Sequence, residues 1–113
     1  MNDFKVDFKE TNGIVVLNTE GYLNNVGGEK ILSVCNTHIE NGKTIFLINM
    51  QGTKVVNSIG VSILIEVIEK LQGINGRIGF CHLAPIVDKT FTIMGISKYS
   101  SIFSTEEEGI SAL

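Results

Sequence analysis

The sequence predicts an α/β fold in one domain, with a mixed, mainly parallel sheet of about five strands and about four helices. Short runs rich in apolar and β-branched side chains alternate with longer segments of helical apolar spacing. The chain has 113 residues, of which 43% are hydrophobic and 19% charged, as expected for one compact domain. Strands that alternate with helices favour parallel pairing through right-handed crossovers. We therefore expect residues 1–113 to form a single domain.

The N-terminal half is predicted to open with a β-hairpin. Apolar-rich runs at residues 4–8 and 14–17 flank Asn12-Gly13, a dipeptide that favours tight hairpin turns. Asn24 is suited to cap a first helix, which should end near residue 41. Residues 44–50 form the next strand, and its core is continuously apolar rather than alternating, which is typical of a strand covered on both faces. This strand is expected in the middle of the sheet.

The C-terminal half continues the alternation of helices and strands. A second helix is predicted from residue 58 to about residue 71, because its apolar residues recur with helical spacing. Turn residues, helix caps and apolar runs then predict the rest. In order, these elements are a strand at 77–83, a helix that begins at Pro85 and ends at Gly95, an edge strand at Ser101–Phe103 and a short helix capped by Thr105.

Charge and cysteine content exclude several classes of function. The net charge is −3 and the nine Lys and Arg are scattered, so we expect neither nucleic acid nor an anionic membrane surface as a partner. The most apolar stretch, residues 59–68, is interrupted by Ser62 and Glu66, so no membrane span is expected. Cys35 and Cys81 lie in apolar segments with no secretory signal upstream, which predicts buried, reduced thiols in a cytoplasmic protein.

The start of the second helix is the most informative segment for function. On a helical wheel Ser58, Ser62 and Glu66 share a polar sector, and Ile59 falls inside it. An exposed aliphatic side chain in that position could be covered by a partner. Ser58 lies where helix amides are unpaired and the macrodipole is positive, so the fold would tolerate a phosphate there. The simpler interpretation is that Asn57 or Ser58 only caps the helix.

Several segments resemble the anti-sigma factor antagonists, the founding members of the STAS domains. They are Gly21-Tyr22-Leu23-Asn24, the strand at 46–50, Asn57-Ser58-Ile59-Gly60-Val61, and residues 91–96 with Ile102-Phe103. In that family the motif reads Asp-Ser-Ser/Thr/Ala-Gly-Leu/Ile-Gly, and its serine is phosphorylated by an anti-sigma factor that is also a serine kinase. Unphosphorylated antagonists bind the anti-sigma factor and release the sigma factor, whereas phosphorylated ones let go. The resemblance implies partner switching.

The resemblance also implies roles for individual residues. Ser58 matches the phosphoacceptor, Asn57 is the cap that shapes the acceptor loop, and Gly60 would let a partner approach the backbone. The remaining predicted partner-contact residues are Ile59 and Ser62 beside the acceptor, and Tyr22, Asn24 and Asn25 at the start of the first helix.

The chain departs from the family pattern at four of these positions. Asn57 and Asn24 replace aspartates, Ile59 replaces a small residue, and Ser62 replaces the second motif glycine. Asparagine keeps the cap oxygen but loses the negative charge with which a kinase could orient the acceptor. The same loss of charge would make a phosphoserine less repelled once it has formed.

Three alternatives to the phosphorylation switch were considered. The first is a STAS scaffold or ligand-sensing module that is never phosphorylated, which the departures around Ser58 favour. The second is a small hydrolase, for which Ser58 lacks the Gly-x-Ser-x-Gly elbow and a base nearby in sequence. The third is a zinc site formed by Cys35, His38, Cys81 and His82, but Cys81 and His82 are adjacent in a predicted strand and would point to opposite faces.

The sequence therefore predicts a binding protein and not an enzyme. Its partner would be an anti-sigma factor of the serine kinase type, and no metal or cofactor is expected. The two histidines, His38 and His82, are predicted to be surface imidazoles and the cysteines buried thiols. The glycine-rich segment at 73–79 leaves a helix and enters a strand, the opposite polarity to a phosphate-binding loop, so it is interpreted as a turn. The sequence leaves the oligomeric state open.

Overall fold

The computed structural model describes residues 3–113, which form five strands and four α-helices. The predicted α/β fold class is confirmed. One turn of 3₁₀ helix, Ile96–Lys98, lies between the third helix and the last strand. In chain order the elements are β1 (Lys5–Thr11), β2 (Ile14–Glu20), α1 (Asn25–Glu40), β3 (Ile45–Gly52), α2 (Ser58–Gln72), β4 (Arg77–Cys81), α3 (Pro85–Ile93), β5 (Ser101–Phe103) and α4 (Glu106–Ala112).

The five strands form one sheet in the order β1-β2-β3-β4-β5. β1 is antiparallel to β2, and every other neighbouring pair is parallel. β3 therefore occupies the centre, as its continuous apolar run predicts, and residues 46–50 are buried. Because β2 and β3 are parallel, the helices that follow them both begin at the carboxyl edge of the sheet. This topology brings the starts of α1 and α2 together.

The hairpin turns at Asn12 and Gly13, as their sequence predicts. Both residues have positive φ angles, 54° and 79° respectively. Positive φ at both central positions identifies a type I′ turn, whose twist matches that of the two strands. Thr11 and Ile14 are directly paired across the turn. The two-residue turn fixes the register of β1 along its whole length.

Helices cover the two faces of the sheet unequally. The larger core lies between the sheet and α1, α2 and α3, and Phe46, Phe80 and Phe91 are its largest fully buried side chains. Full burial of such a side chain contributes about 1.5–3 kcal/mol. On the other face the short helix α4 packs on a smaller cluster of Ile14, Val16, Leu47 and Cys81. Within residues 3–113 no helix has the length and hydrophobicity needed to cross a bilayer.

The expectation that both histidines are surface imidazoles is wrong for His38. Its side chain is buried in the last turns of α1, and its Nδ1 lies 2.9 Å from the carbonyl oxygen of Val34. The ring makes edge contacts with Phe8 and Phe46, at centroid distances of 4.5 and 6.4 Å. His38 therefore belongs to the hydrophobic core, since its helix packs over the hairpin.

The second histidine lies at the end of β4. His82 is half-buried, and its Nε2 accepts a hydrogen bond of 3.4 Å from the backbone N–H of Glu106. Among residues 3–113 no three His, Cys, Asp or Glu side chains are grouped to hold a metal ion. The four residues considered for a zinc site are therefore not assembled into one.

The two cysteines are buried and unpaired, as the sequence predicts. Burial raises the pKa of the Cys35 thiol to about 12. Burial likewise raises the pKa of Cys81 to about 12, and the nearby carboxylates of Glu106 and Glu107 add to the effect. A thiol is nucleophilic only as the thiolate, so both groups should be unreactive at neutral pH.

Thiol labelling tests this packing. At about pH 8 the folded protein should react with iodoacetamide far more slowly than the protein unfolded in guanidinium, where thiols have an ordinary pKa of about 8.5. Mass spectrometry counts the adducts over time. Rapid modification of either cysteine in the folded chain would contradict the burial described here.

Candidate functional site

Two chain segments run side by side at the carboxyl edge of the sheet. The N–H of Leu23 donates to the carbonyl of Val55 at 3.0 Å, and the N–H of Asn57 donates to the carbonyl of Leu23 at 3.0 Å. Leu23 and Val56 form an isolated parallel bridge. This bridge joins the segment before α1 to the segment before α2. It therefore fixes the positions of the two helix N-termini relative to each other.

Each of these helices begins with an asparagine cap. The Oδ1 of Asn24 accepts a hydrogen bond of 3.1 Å from the N–H of Gly27, and the Oδ1 of Asn57 accepts one of 2.8 Å from Gly60. Both predicted caps are confirmed. Neither helix has an acidic residue in its first turn. The positive ends of two helix dipoles therefore meet at this edge without a compensating carboxylate in those turns.

Ser58 is the first residue of α2, and it is exposed. Ile59 beside it is 56% exposed. Ser62 is also exposed, and its hydroxyl donates to the carbonyl of Ile59 at 2.7 Å. The helical wheel thus predicts correctly that Ser58, Ile59 and Ser62 share the solvent-facing side of α2.

The neighbouring segments add further exposed apolar side chains. Tyr22, Val26 and Val55 are each about half exposed. Residues alternate in direction along an extended segment, so the inward-facing Leu23 and Val56 leave Tyr22 and Val55 facing outward. Together with the cap and helix residues described above, these side chains form what we call the α1–α2 surface. It consists of Tyr22, Asn24, Asn25, Val26, Val55, Asn57, Ser58, Ile59 and Ser62.

The two segments that carry this surface contain no charged side chain themselves, although Asp3 and Lys30 line a groove together with Tyr22, Asn24 and Val26. Residues 21–28 and 55–65 are all apolar, amide or hydroxyl residues or glycine. Sequence reasoning identified the start of α2 and the start of α1 separately. The contribution of Val26 and Val55 was missed, because it depends on the pairing of two segments that are more than thirty residues apart.

Gly60 has a different role from the one expected. It is buried, and a Cβ atom placed on it would lie 2.6 Å from the carbonyl oxygen of Leu23 and 2.9 Å from that of Asn24. The expectation that this glycine lets a partner approach the backbone is therefore wrong. The close approach is intramolecular, because the first turn of α2 packs directly against the segment that leads into α1.

A buried pair of hydroxyls supports the loop before α2 and was also missed by sequence reasoning. The Oγ1 atoms of Thr19 and Thr53 are 2.7 Å apart, and both side chains are buried. The N–H of Thr53 donates to the carbonyl of Met50 at 3.0 Å. These contacts fix the loop where it leaves β3. A threonine in a loop carries no sequence signal that distinguishes it from a solvated one.

Within residues 3–113, Ser58 has no hydrogen bond to a side chain that could act as a catalytic base. His38 lies near the C-terminal end of α1, whereas Ser58 lies beside the N-terminal end of that helix. His82 already accepts a hydrogen bond from the backbone of Glu106. Neither histidine is therefore hydrogen-bonded to Ser58, and activation of a serine nucleophile needs such a base.

Replacement of Gly60 tests how the site is held together. Gly60→Ala should lower the free energy of unfolding by about 1–3 kcal/mol, because the added methyl group meets two backbone carbonyls that cannot rotate away. Chemical denaturation measures the change.

Gly73→Ala is the matched control for Gly60→Ala. Gly73 follows α2 with a φ of −64°, and a Cβ atom there would have no neighbour closer than 3.4 Å. This variant should be neutral or stabilising by up to about 1 kcal/mol. Equal stability of the two variants would show that the close contact at Gly60 is not required.

Comparison with known proteins identifies the fold and the family. The family model described as STAS domain matches residues 5–109. An anti-sigma factor antagonist from Mycobacterium paratuberculosis is 17% identical, with a TM-score of 0.85 over 97% of this chain and 93% of that one. The Bacillus cell fate determinant SpoIIAA in its phosphorylated form is 25% identical, with a TM-score of 0.74 over 97% and 98% of the two chains.

A third structure extends this likeness. An anti-sigma-factor antagonist (STAS) domain protein from Planctomyces limnophilus is 16% identical, with a TM-score of 0.82 over 95% of this chain and 96% of that one. A search of curated protein sequences found no match. The family model spans nearly all of the described chain, and the sheet order and helix count agree with it. The chain belongs to the STAS domain family.

Proposed function

We propose that this chain is an anti-sigma factor antagonist that binds an anti-sigma factor of the serine kinase type through the α1–α2 surface. Phosphorylation of Ser58 would release that partner. The observation that carries the proposal is an exposed hydroxyl at a helix N-terminus, in two segments without charged residues that also carry four half-exposed apolar side chains. SpoIIAA, solved in both unphosphorylated and phosphorylated forms, supports it as a structural relative. Such a protein acts in the cytoplasm by binding and is not itself an enzyme.

The fold can accept a phosphate at Ser58 without being unfolded by it. The first intrahelical bond of α2 runs from the N–H of Val61 to the carbonyl of Asn57, and Gly60 donates to the Asn57 side chain. The amides of Ser58 and Ile59 precede these bonds and have no intrahelical acceptor. An anion at this end of a helix is stabilised by about 0.3–1 kcal/mol.

The same phosphate would strongly disfavour a bound partner. An unphosphorylated α1–α2 surface offers apolar area to a partner, and complete burial of Ile59 alone would contribute about 1 kcal/mol or more. A phosphoserine brings a charge of about −1.5 to −2 into that contact, where desolvation of the anion is costly. The free chain retains its fold and loses its partner, which is the behaviour required of a switch.

Asn57 keeps the geometry of the loop that presents Ser58, but it lacks the negative charge of the family aspartate. The side-chain oxygen still caps Gly60, at 2.8 Å, as a family aspartate could. The missing negative charge removes a group that a kinase could use to orient the serine, and it also removes a repulsion on the phosphate. We infer that the loop is presented in the family's manner, with a phosphorylation rate set by these opposing effects.

A STAS module that is never phosphorylated is the second candidate function. The substitutions at Asn57, Ile59 and Ser62 favour it, because each departs from the phosphoacceptor motif. In that case the α1–α2 surface would be a constitutive docking surface for a scaffold, or part of a ligand-sensing module. The effect of a negative charge at Ser58 on partner binding distinguishes the two functions.

Mimicry of the phosphate provides the first test. Ser58→Asp should weaken binding to the purified kinase-type anti-sigma factor by about tenfold or more, equivalent to about 1.4 kcal/mol. The reason is that a carboxylate would have to be desolvated in an apolar contact. Ser58→Ala is the matched control and should bind like the natural chain. Isothermal titration calorimetry gives the dissociation constant of each complex. Unchanged affinity of Ser58→Asp would contradict the switch.

A second test concerns the exposed aliphatic side chain. Ile59→Glu should weaken the same complex by about tenfold or more, because it replaces apolar contact area by a charge. Its free energy of unfolding should change by less than about 0.5 kcal/mol, as is usual for exposed positions.

Ile93→Glu is the control for Ile59→Glu. Ile93 is 74% exposed at the end of α3, outside the α1–α2 surface, so this variant should leave partner binding unchanged. Equal loss of binding in both variants would show that charge acts non-specifically. Unfolding of Ile59→Glu would show that Ile59 is a core residue.

A further inference from the structure

The hairpin strand β1 forms one edge of the sheet. It pairs with β2 on one side, and within residues 3–113 no strand pairs with its other side. Phe8, in the middle of this strand, is 56% exposed. An edge strand offers a row of backbone donors and acceptors to any strand of matching pattern.

The hairpin turn determines which backbone groups of β1 face outward. In a two-residue type I′ hairpin the residues that flank the turn, here Thr11 and Ile14, form a hydrogen-bonded pair. Hydrogen-bonded pairs recur at every second residue, so the N–H and C=O groups of Val6, Phe8 and Glu10 point away from β2. Phe4 precedes Val6 by two residues, so its backbone groups should also point away from β2. Its carbonyl accepts a hydrogen bond of 2.8 Å from the Nζ of Lys30. This contact agrees with the assignment.

The side chains of β1 carry an alternating charge pattern on the face that bears α4. Lys5, Asp7 and Lys9 are all exposed, and they share this face because the side chains of a strand alternate. The Nζ of Lys9 lies 2.8 Å from a carboxylate oxygen of Glu106 in α4. An ammonium group has three N–H donors, so Lys9 can donate to a second carboxylate as well as to Glu106.

We propose that β1 pairs antiparallel with β1 of a second copy of this chain, about a two-fold axis at Phe8. In this register Val6, Phe8 and Glu10 of the two copies exchange hydrogen bonds, and the two sheets join into one. Asp7 of each copy lies opposite Lys9 of the other, at non-hydrogen-bonded positions where side chains are closest. The two Phe8 rings lie side by side on the opposite face of the joined sheet.

Other registers are less favourable. Centring the axis on Asp7 places Asp7 opposite Asp7 and Lys5 opposite Lys9, and centring it on Lys9 places two lysines opposite each other. Like charges in directly opposed positions are destabilising. Centring it on Val6 would need the carbonyl of Phe4, which Lys30 already holds. The charge pattern and the Lys30–Phe4 contact together favour the register centred on Phe8.

The edge of β1 and the α1–α2 surface are separate sets of residues. A groove beside β1 is lined by Phe4, Lys5, Val6 and Asp7 on one side and by Lys30, Ser33 and Val34 of α1 on the other. None of the residues of β1 belongs to the α1–α2 surface. The dimer would therefore present two such surfaces, and the proposal is independent of whether Ser58 is phosphorylated.

Sedimentation equilibrium of the natural chain and two charge-reversal variants tests the dimer. The natural chain should show a mass that rises with concentration from 12.3 kDa towards twice that value. Asp7→Lys or Lys9→Asp alone should raise the dissociation constant by about tenfold or more, because each sets like charges opposite each other. An equimolar mixture of the two variants should recover the dimer, because every opposed pair then has opposite signs.

The control variant is Lys5→Asp, which makes the same charge change on the same face as Lys9→Asp. Lys5 lies opposite Thr11 in the proposed register, so this substitution should leave association nearly unchanged. Asp7→Lys removes neither ion pair found in residues 3–113, whereas Lys9→Asp removes the one to Glu106, so circular dichroism must show that each variant is folded. A monomeric natural chain at millimolar concentration, a mixture that stays monomeric, or equal dissociation of Lys5→Asp would overturn the proposal.

Discussion

The pairing of Leu23 with Val56 is the constraint on which the rest of the site depends. Two backbone hydrogen bonds join the entrance of α1 to the entrance of α2. Gly60 permits this contact because it has no side chain between the helix and the carbonyls of Leu23 and Asn24. Without this junction the two asparagine caps and the exposed apolar residues would belong to separate loops. With it they form one surface with Ser58 on it.

The electrostatics of this surface follow from the same junction. It contains no charged side chain, yet two helix N-termini direct their positive dipole ends towards it. A surface of that kind can bind an apolar partner in one state and hold an added anion in another. The edge strand β1, by contrast, has charged side chains of alternating sign, and its Val6, Phe8 and Glu10 backbone groups point away from β2. The two regions are therefore suited to different kinds of contact.

Local signals in the sequence predict most of the fold. Asn12-Gly13 predicts the hairpin turn, Asn24 and Asn57 predict the helix caps, and the apolar run at 46–50 predicts the central strand. Each of these features depends on a few neighbouring residues and on intrinsic backbone preferences, so it can be derived without knowing the tertiary structure. The exposure of Ile59 was predictable for the same reason, from helical periodicity.

The remaining features depend on contacts between distant parts of the chain. The role of Gly60, the burial of His38 between two phenylalanines and the Thr19–Thr53 hydroxyl pair were not predictable from local pattern. Each is set by an element that lies more than thirty residues away or on another layer of the fold. The sequence predicts which residues at the starts of α1 and α2 are exposed. Only the structure shows that the two helix starts are paired and form one surface.

The most direct measurement is phosphorylation mapping of the natural chain. The protein would be incubated with the proposed partner, an anti-sigma factor of the serine kinase type, and Mg-ATP, and the modified residue would be located by tandem mass spectrometry. A single phosphate on Ser58, with none on the neighbouring exposed Ser62, is the predicted result. No phosphate, or a phosphate on any other residue, would contradict the switch and favour a docking module that is never phosphorylated.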